Sequence, residues 1–317
     1  MVFSSFALFL FICCKNRNYI ADRKISLFKI NVDKLSIFEL LTKQNHFDYM
    51  KKISILGAGW LGSPLALQLK NNGHKVKVST TTPEKISFFE ENGIESFIIN
   101  VGSGADISNT DKLLADTDLL IVTIPPGRTQ NVEENYVNKI KFVIPFIEKH
   151  HIKEVLYTSS TTVYLSLKGN VDEETPIIPV AEMDKQIVEI ENMLLNNPSF
   201  NASVLRLGGL IGEDRHPVHF IVKREVIEDA NNPVNMIHRK DIIRFVEKMT
   251  EQEIPNEIFN IVAPIQHNRR DFYTQEANKL GLYPLPQFID NPNADMRKVS
   301  GEKISKRYHL KYQYLLG

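Results

Sequence analysis

The sequence predicts an α/β protein: a Rossmann doubly wound parallel sheet with a smaller mixed C-terminal lobe. Three observations carry that expectation. From Lys52 onward, short apolar runs alternate with amphipathic stretches in the rhythm of β-α units. The string Gly57-Ala58-Gly59-Trp60-Leu61-Gly62 stands directly between the first strand and the first helix. Asp118 to Ile124 is a nearly continuous apolar run, as in a strand covered on both faces.

Ile53 to Leu56 reads as the first strand, Leu61 to Asn71 as a helix and Lys75 to Ser79 as the second strand. Pro83 opens a helix running to about Glu91, because proline suits a first helical turn. Phe97 to Asn100 gives the third strand, and the fourth, Asp118 to Ile124, is stopped by Pro125 and Pro126. A helix from Val132 to His150, a strand from Glu154 to Thr158, a helix from Ala181 to Leu195 and a strand from Ser203 to Leu207 follow. Beyond Gly209 regular alternation weakens while Asn, Pro and His become more frequent. The expected organisation is therefore an N-terminal extension (1–49), a dinucleotide-binding domain (50–209) and a substrate lobe (210–317), with one strand near Ile258 to Val262 returning to the main sheet.

Bulk composition narrows the function classes. Lys+Arg and Asp+Glu both number 38 in 317 residues, so no net charge draws the chain to nucleic acid or anionic lipid. The expected partner is a small-molecule substrate, with neither nucleic acid nor membrane, and a homodimer is left open. Cys13 and Cys14 are the only cysteines, which suits a reducing, cytoplasmic setting. The apolar run Val2 to Cys14 has no basic residues before it and is short of the ~20 residues that span a bilayer. An export segment and a genuine extension both remain open for residues 1–49. The favoured reading is a translated upstream region, because Met50-Lys51-Lys52 leads straight into the first strand.

The glycine string points to a dinucleotide. Gly57 would permit the tight turn, Gly59 would let the backbone approach a pyrophosphate, and Gly62 would let helix and strand pack closely. Trp60 and Leu61 would offer N–H groups at the helix N-terminus. The alternative is a glycine-rich turn with no ligand. No acidic residue stands about twenty positions on, where NAD-binding chains place one for the ribose. Ser79-Thr80-Thr81-Thr82 stands there instead, with Lys85 near, so Thr80 and Thr81 are assigned to a 2'-phosphate and NADP is expected over NAD. The same threonines could cap the helix beginning at Pro83, and both roles can coexist. Ile124 and Pro125 after the fourth strand, with Thr158 after the next, complete the expected cofactor wall, since ligands of open α/β sheets sit at carboxyl strand ends.

A second constellation, Thr158-Ser159-Ser160-Thr161-Thr162-Val163-Tyr164, is followed by Arg206-Leu207 with Gly212, by Val234-Asn235 with His238 and Asp241, and by Phe259-Asn260-Ile261. Together with the glycine turn, these motifs resemble the extended and atypical short-chain dehydrogenase/reductase superfamily, of the NAD(P)-dependent epimerase/dehydratase type, and its YeeZ-like branch, from about Met50 to near the C-terminus. The resemblance implies a catalytic hydroxyl at Ser160 and a lysine at Lys185 that also touches the cofactor, with Ala181 at the position of the family's tyrosine. No tyrosine occurs between Tyr164 and Tyr273. The family's phenol exchanges the proton as hydride moves, and a positioned acid/base is worth roughly 10²- to 10⁴-fold in rate. Alanine cannot do this. Tyr164 is the candidate substitute, against its usual structural role. Helical spacing puts Ala181 and Lys185 on one face, with Glu182 and Asp184 to either side and solvated. Leu56 and Leu165 also depart from the family's glycines.

Arg215 and His216, in Gly-Glu-Asp-Arg-His-Pro, are the substrate candidates, because an arginine there could grip a phosphate or carboxylate with two hydrogen bonds. A surface loop held by local bonds is the alternative. His238 reads as structural, as do Asn235 and Asp241 in part, and no metal is expected: His150-His151 more plausibly serves a helix C-terminus. Two functions follow. The leading one is an oxidoreductase or epimerase acting on a small polar or sugar-linked substrate, which the fold and motifs support. The alternative is a non-catalytic dinucleotide-binding sensor or regulatory protein, which the missing tyrosine supports.

Overall fold

The apolar alternation decides which face of the sheet each side chain joins. In the computed structural model, which describes residues 50–101, 107–125 and 136–314, seven strands lie parallel in the order β11-β7-β5-β4-β1-β2-β3. They are β1 (Lys52–Leu56), β2 (Lys75–Thr80), β3 (Glu95–Ile98), β4 (Leu119–Val122), β5 (Glu154–Ser160), β7 (Asn201–Leu207) and β11 (Glu257–Ile261). Leu119 and Ile121 of β4, Leu156 of β5 and Leu205 of β7 enter one buried layer, while Leu120, Val122, Tyr157 and Val204 enter the other. Successive side chains point to opposite faces, so apolar residues at consecutive positions require cover on both.

That cover comes from the helices. On one face lie α1 (Gly62–Asn71), with Leu65, Ala66 and Leu69, and α7 (Arg239–Thr250), with Ile242, Phe245, Val246 and Met249. The other face packs α3 (Ile107–Leu114), α4 (Tyr136–Lys149) and α5 (Glu182–Leu195) through Leu113, Ile140, Ile147, Ile187, Ile190 and Leu194. The remaining α2 (Lys85–Glu91) anchors beside β3 through Phe89.

Several boundaries moved from the sequence expectation. The helix α3 was not anticipated, because its eight residues carry only Leu113 and Leu114 as strongly apolar buried positions. The third strand starts at Glu95, where pairing with Lys77 of β2 begins, rather than at Phe97. The fourth ends at Val122, so Thr123 to Pro125 leave the ladder; Pro126 and the first residues of the helix expected from Val132 lie outside the described residues, as do residues 1–49. After residue 209, short parallel ladders join β8 (Gly209–Ile211) to β10 (Met236–His238) and β9 (Val226–Ile227) to β12 (Gln287–Phe288), while β6 (Asn170–Val171) pairs with β13 (Lys298–Val299). The strand expected near Ile258 does return to the main sheet, pairing with β7 from Glu257↔Ser203 to Ile261↔Leu207. Helices α6 (Val218–Ile221), α8 (Arg269–Leu280) and α9 (Glu302–Tyr308) complete this part. Among the described residues no helix is long and apolar enough to cross a membrane.

Candidate functional site

The strand order reverses at β1, which lies between β2 and β4. A crevice opens beyond the carboxyl ends of such strands, and here the glycine turn and Thr123-Ile124-Pro125 form its lips. Each glycine of the turn answers a different constraint. Gly57 has φ +108°, and a Cβ there would meet Ile124 Cγ2 at 2.9 Å. A Cβ on Gly62 would lie 2.3 Å from the Gly57 carbonyl oxygen, so helix and turn close only over hydrogen. Gly59 is different: a Cβ there would meet no protein atom within 4 Å. Packing does not demand that glycine; a close-lying ligand would.

The turn also presents donors. The N-cap residue of α1, Leu61, has no side-chain cap, and no acidic side chain occupies the first turn. Gly57 N–H donates to Ser79 Oγ at 2.9 Å and Ala58 N–H to the Ser79 carbonyl at 2.6 Å, while the amides of Trp60 and Leu61 have no acceptor among the described residues. Free amides at a helix N-terminus suit a diphosphate. Beside them lies a hollow of about 320 Å³ lined by Ser79, Thr80, Thr81, Thr82 and Lys85, with Lys139 across it and no carboxylate among its described lining residues. The Lys85 ammonium is held over the turn, donating to the Ala58 carbonyl at 3.1 Å and lying 3.4 Å from Ser63 Oγ. These residues fit a dinucleotide whose adenosine ribose enters this hollow.

The adjoining cleft, about 310 Å³, brings together Gly59, Trp60, Leu61, Ile124, Pro125, Thr158, Ser160 and Arg215 of the sequence-derived set. Ser160 caps the short 3₁₀ turn Thr161–Tyr164, its Oγ accepting from Thr162 N–H at 3.2 Å, which leaves the hydroxyl hydrogen for the cleft. Thr158 Oγ1 donates to the Val122 carbonyl at 3.1 Å. The exposed Arg215 guanidinium covers the Trp60 ring at 5.2 Å and makes no ion pair among the described residues.

Three candidates lie elsewhere. Lys185 is exposed on the outer face of α5, 3.9 Å from Glu182, and the α5 residue in the cleft wall is Ile187. Asp184, expected in solvent, is buried on the inward face with Ile187 and Glu191. The cause is a buried pair that sets the rotation of the helix: Arg206 holds Glu191 with two nitrogens, the shorter bond 2.6 Å, and Ser159 Oγ donates to the same carboxylate at 2.6 Å. Tyr164 belongs to this network too. Its phenol is buried, accepts from Arg206 Nη1 at 2.6 Å, and faces the Asp172 carbonyl and Asn260 Oδ1 as acceptors. Burial pushes the Tyr164 phenol up despite the neighbouring Arg206, which makes it a poor acid/base at neutral pH. His216 also lies outside the cleft lining, 3.1 Å from Glu276, and burial holds its pKa below the usual histidine value. His238 Nδ1 accepts from Lys240 N–H at 3.2 Å, capping α7, while Asn235 ties the Arg297 carbonyl and Val299 N–H together at 2.8 Å each.

Sequence reasoning missed Tyr136 and Tyr157, which line the cleft floor. The Tyr157 hydroxyl donates to that of Tyr136 at 3.0 Å, which donates to the Ile124 carbonyl at 2.9 Å. Burial pushes Tyr136 up to about 12 and Tyr157 well above its ordinary value, so both stay neutral. Tyr157 was readable only as an apolar strand residue, and Tyr136 lay within a helix with no motif to mark it.

Comparison with known proteins rests on the same region. Residues 57–253 match a family described as NAD(P)H-binding, and the chain is 34% identical over 268 residues to protein YeeZ of Escherichia coli (strain K12), covering 84% of this chain and 97% of that protein. The chain belongs to the NAD(P)H-binding family. The fold agrees with that membership: a putative NAD-dependent epimerase/dehydratase from Methylobacillus flagellatus superposes with TM-score 0.63 at 23% identity, over 81% of this chain and 92% of the other. The UDP-glucuronic acid 4-epimerase of Bacillus cereus, solved in complex with NAD, gives TM-score 0.67 at 20% identity, over 84% and 94%. For this member of the NAD(P)H-binding family, hydride transfer is the chemistry a bound nicotinamide could supply, and the glycine turn, the hydroxyl hollow and the cleft are the surfaces that would hold the cofactor.

Proposed function

We propose that this chain binds NADP(H) in preference to NAD(H) and acts as a dinucleotide-responsive sensor that also receives a small polar, anionic ligand beside the nicotinamide. The observation that carries this reading is the α5 wall of the cleft. Ile187 occupies it and Lys185 faces outward, so neither a lysine nor a free phenol stands where the superfamily exchanges its proton. Hydride transfer to a carbonyl leaves negative charge on oxygen, and a site without a positioned donor forgoes much of the acceleration that such a donor gives. Binding needs none of this. The preference for the 2'-phosphate rests on Thr80, Thr81, Thr82 and Lys85 lining the hollow with no carboxylate among its described residues, and the anionic ligand on Arg215 in the cleft wall, which makes no ion pair among the described residues.

A second reading, an oxidoreductase or epimerase on a small polar or sugar-linked substrate, is favoured by one observation: the Ser160 hydroxyl and the Arg215 guanidinium line the same cleft. There Ser160 would donate to a substrate oxygen while Arg215 offset its charge. One experiment separates the two. NADPH and NADH are titrated into the purified chain, and hydride transfer is then screened with ketones, aldehydes and sugar nucleotides. Micromolar NADPH binding without turnover supports the sensor; turnover that Ser160→Ala abolishes supports the enzyme. Absence of binding to either cofactor overturns both.

A further inference from the structure

The turn that carries Ser160 has two working sides. Ser160 looks into the dinucleotide cleft, whereas Thr161 and Thr162, the next two residues, line a separate hollow of about 190 Å³. Its other polar walls are Asn235, Arg269, Tyr273 and Arg297. No aspartate, glutamate or lysine is among its described lining residues. The nearest carboxylate to Arg297 that bears on its charge, Asp295, is shared with Lys168 at 3.4 Å. Arg269 takes part in no ion pair and no side-chain hydrogen bond among the described residues, and Arg297 spends one nitrogen on the Leu165 carbonyl at 2.9 Å.

Two arginines lining one hollow repel each other and lose hydration, a cost that an anion between them would lower. Burial lowers the Arg297 pKa, Asp295 opposes that shift in part, and Arg269 adds to it. Neither guanidinium makes an ion pair among the described residues, so donors remain for an oxyanion in the hollow.

We propose that this hollow is a phosphomonoester subsite, in which Arg269 and Arg297 clamp the phosphoryl oxygens of a small ligand. The charge decides for phosphate over carboxylate: two guanidiniums carry two positive charges, and a phosphomonoester carries roughly −1.5 to −2 at neutral pH with three acceptor oxygens. A single carboxylate is saturated by one fork. Arg269 and Tyr273 also wall a neighbouring hollow with Arg224, Glu228 and Asp229, so the part of a ligand that extends past them meets both signs of charge. The site depends on these residues and not on turnover in the dinucleotide cleft.

Calorimetric titration of the full chain with inorganic phosphate, in the presence of saturating NADPH so that the cofactor hollow is filled, tests the assignment. One phosphate should bind per chain, and acetate about tenfold more weakly or worse. Arg269→Gln and Arg297→Gln should each weaken phosphate by about tenfold or more, the loss of a charge-assisted hydrogen-bond pair. Because Arg297 also supports the Leu165 carbonyl, Arg269→Gln is the deciding variant; it should melt within about 2 °C of wild type, because the half-buried Arg269 side chain makes no hydrogen bond or ion pair among the described residues. Phosphate binding that is absent in wild type, unchanged in Arg269→Gln, or matched by acetate overturns the proposal. If NADPH itself fails to bind, the same titration is run on the chain alone, so this subsite and the cofactor reading fail separately.

Discussion

The Trp60 indole and the Arg239 guanidinium stack at 4.5 Å, while Arg239 also donates to the Trp60 carbonyl at 3.3 Å. Trp60 Nε1 donates to Asp214 at 3.0 Å, and Arg239 lies 3.2 Å from the same Asp214. The phosphate-binding turn is thereby pinned to the loop that carries Arg215. Trp60 is the sole tryptophan of the 317 residues, so its emission reports on that junction alone. NADPH should change Trp60 fluorescence saturably, with a midpoint matching the calorimetric one. Arg239→Ala should cost about 1 kcal/mol of stability, the size of a cation–π contact with its hydrogen bond. Indifference of the emission to a cofactor that calorimetry shows to bind would refute the junction.

Gly59 and Gly62 should respond in opposite ways to the same substitution. A Cβ at Gly59 meets nothing, so Gly59→Ala should keep the wild-type melting temperature yet weaken NADPH by about tenfold or more. Gly62→Ala drives a methyl to 2.3 Å from the Gly57 carbonyl oxygen. Overpacking of this kind costs about 1–3 kcal/mol, readable by denaturant unfolding. Equal loss of stability in both variants would remove the ligand argument for Gly59.

Lys85→Ala tests the cofactor preference. Removing the ammonium should lower NADPH affinity by about tenfold and leave NADH within about twofold, since only NADPH brings a 2'-phosphate to Thr80, Thr81 and Lys85. Equal losses for both cofactors would show that Lys85 serves the turn through Ala58 and not the phosphate.

Stability should fall as the solution is acidified. Burial holds His238 below its ordinary value of 6.5, opposed mainly by Glu213, with Asp241 also raising it and Lys240 and Arg239 lowering it. The unfolded chain therefore takes up the proton first. Full stability is present above about pH 6.5 and is lost as pH drops from there toward the folded pKa. His238→Asn keeps an N-cap acceptor for Lys240 N–H but does not titrate, so the melting temperature of that variant should decline less between pH 7.5 and 5.5. An identical decline would assign the effect to other groups, His216 first among them.

The strands and the glycine turn could be read from the chain because each follows from a local rule: consecutive apolar residues need two covered faces, and a tight turn needs φ that only Gly57 tolerates. The orientation of α5 could not. Apolar spacing sets Ile187, Ile190 and Leu194 inward and carries Asp184 and Glu191 to the same face, but that a carboxylate such as Glu191 is tolerated there depends on Arg206 arriving from β7. A buried ion pair between distant residues has no periodic signature, and a reading anchored on Ala181 and Lys185 chose the other face. The structural role weighed for Tyr164 was legible in kind, but its partner was not, because the guanidinium that captures its hydroxyl lies 42 positions away. His216 shows the limit of proximity in sequence: it adjoins Arg215 but turns to Glu276 of α8.

The return of β11 to the sheet bears on how the gene can be cut. Ser203 to Leu207 are paired on one side by β5 and on the other by Glu257 to Ile261. Truncation at residue 209 would strip that second neighbour and bare a row of unpaired amides and carbonyls on an apolar strand, an invitation to aggregate. Expression of residues 50–209 alone should give insoluble protein, whereas a product extending through α9 should remain in solution. Residue 209 is therefore not a seam at which the chain can be divided.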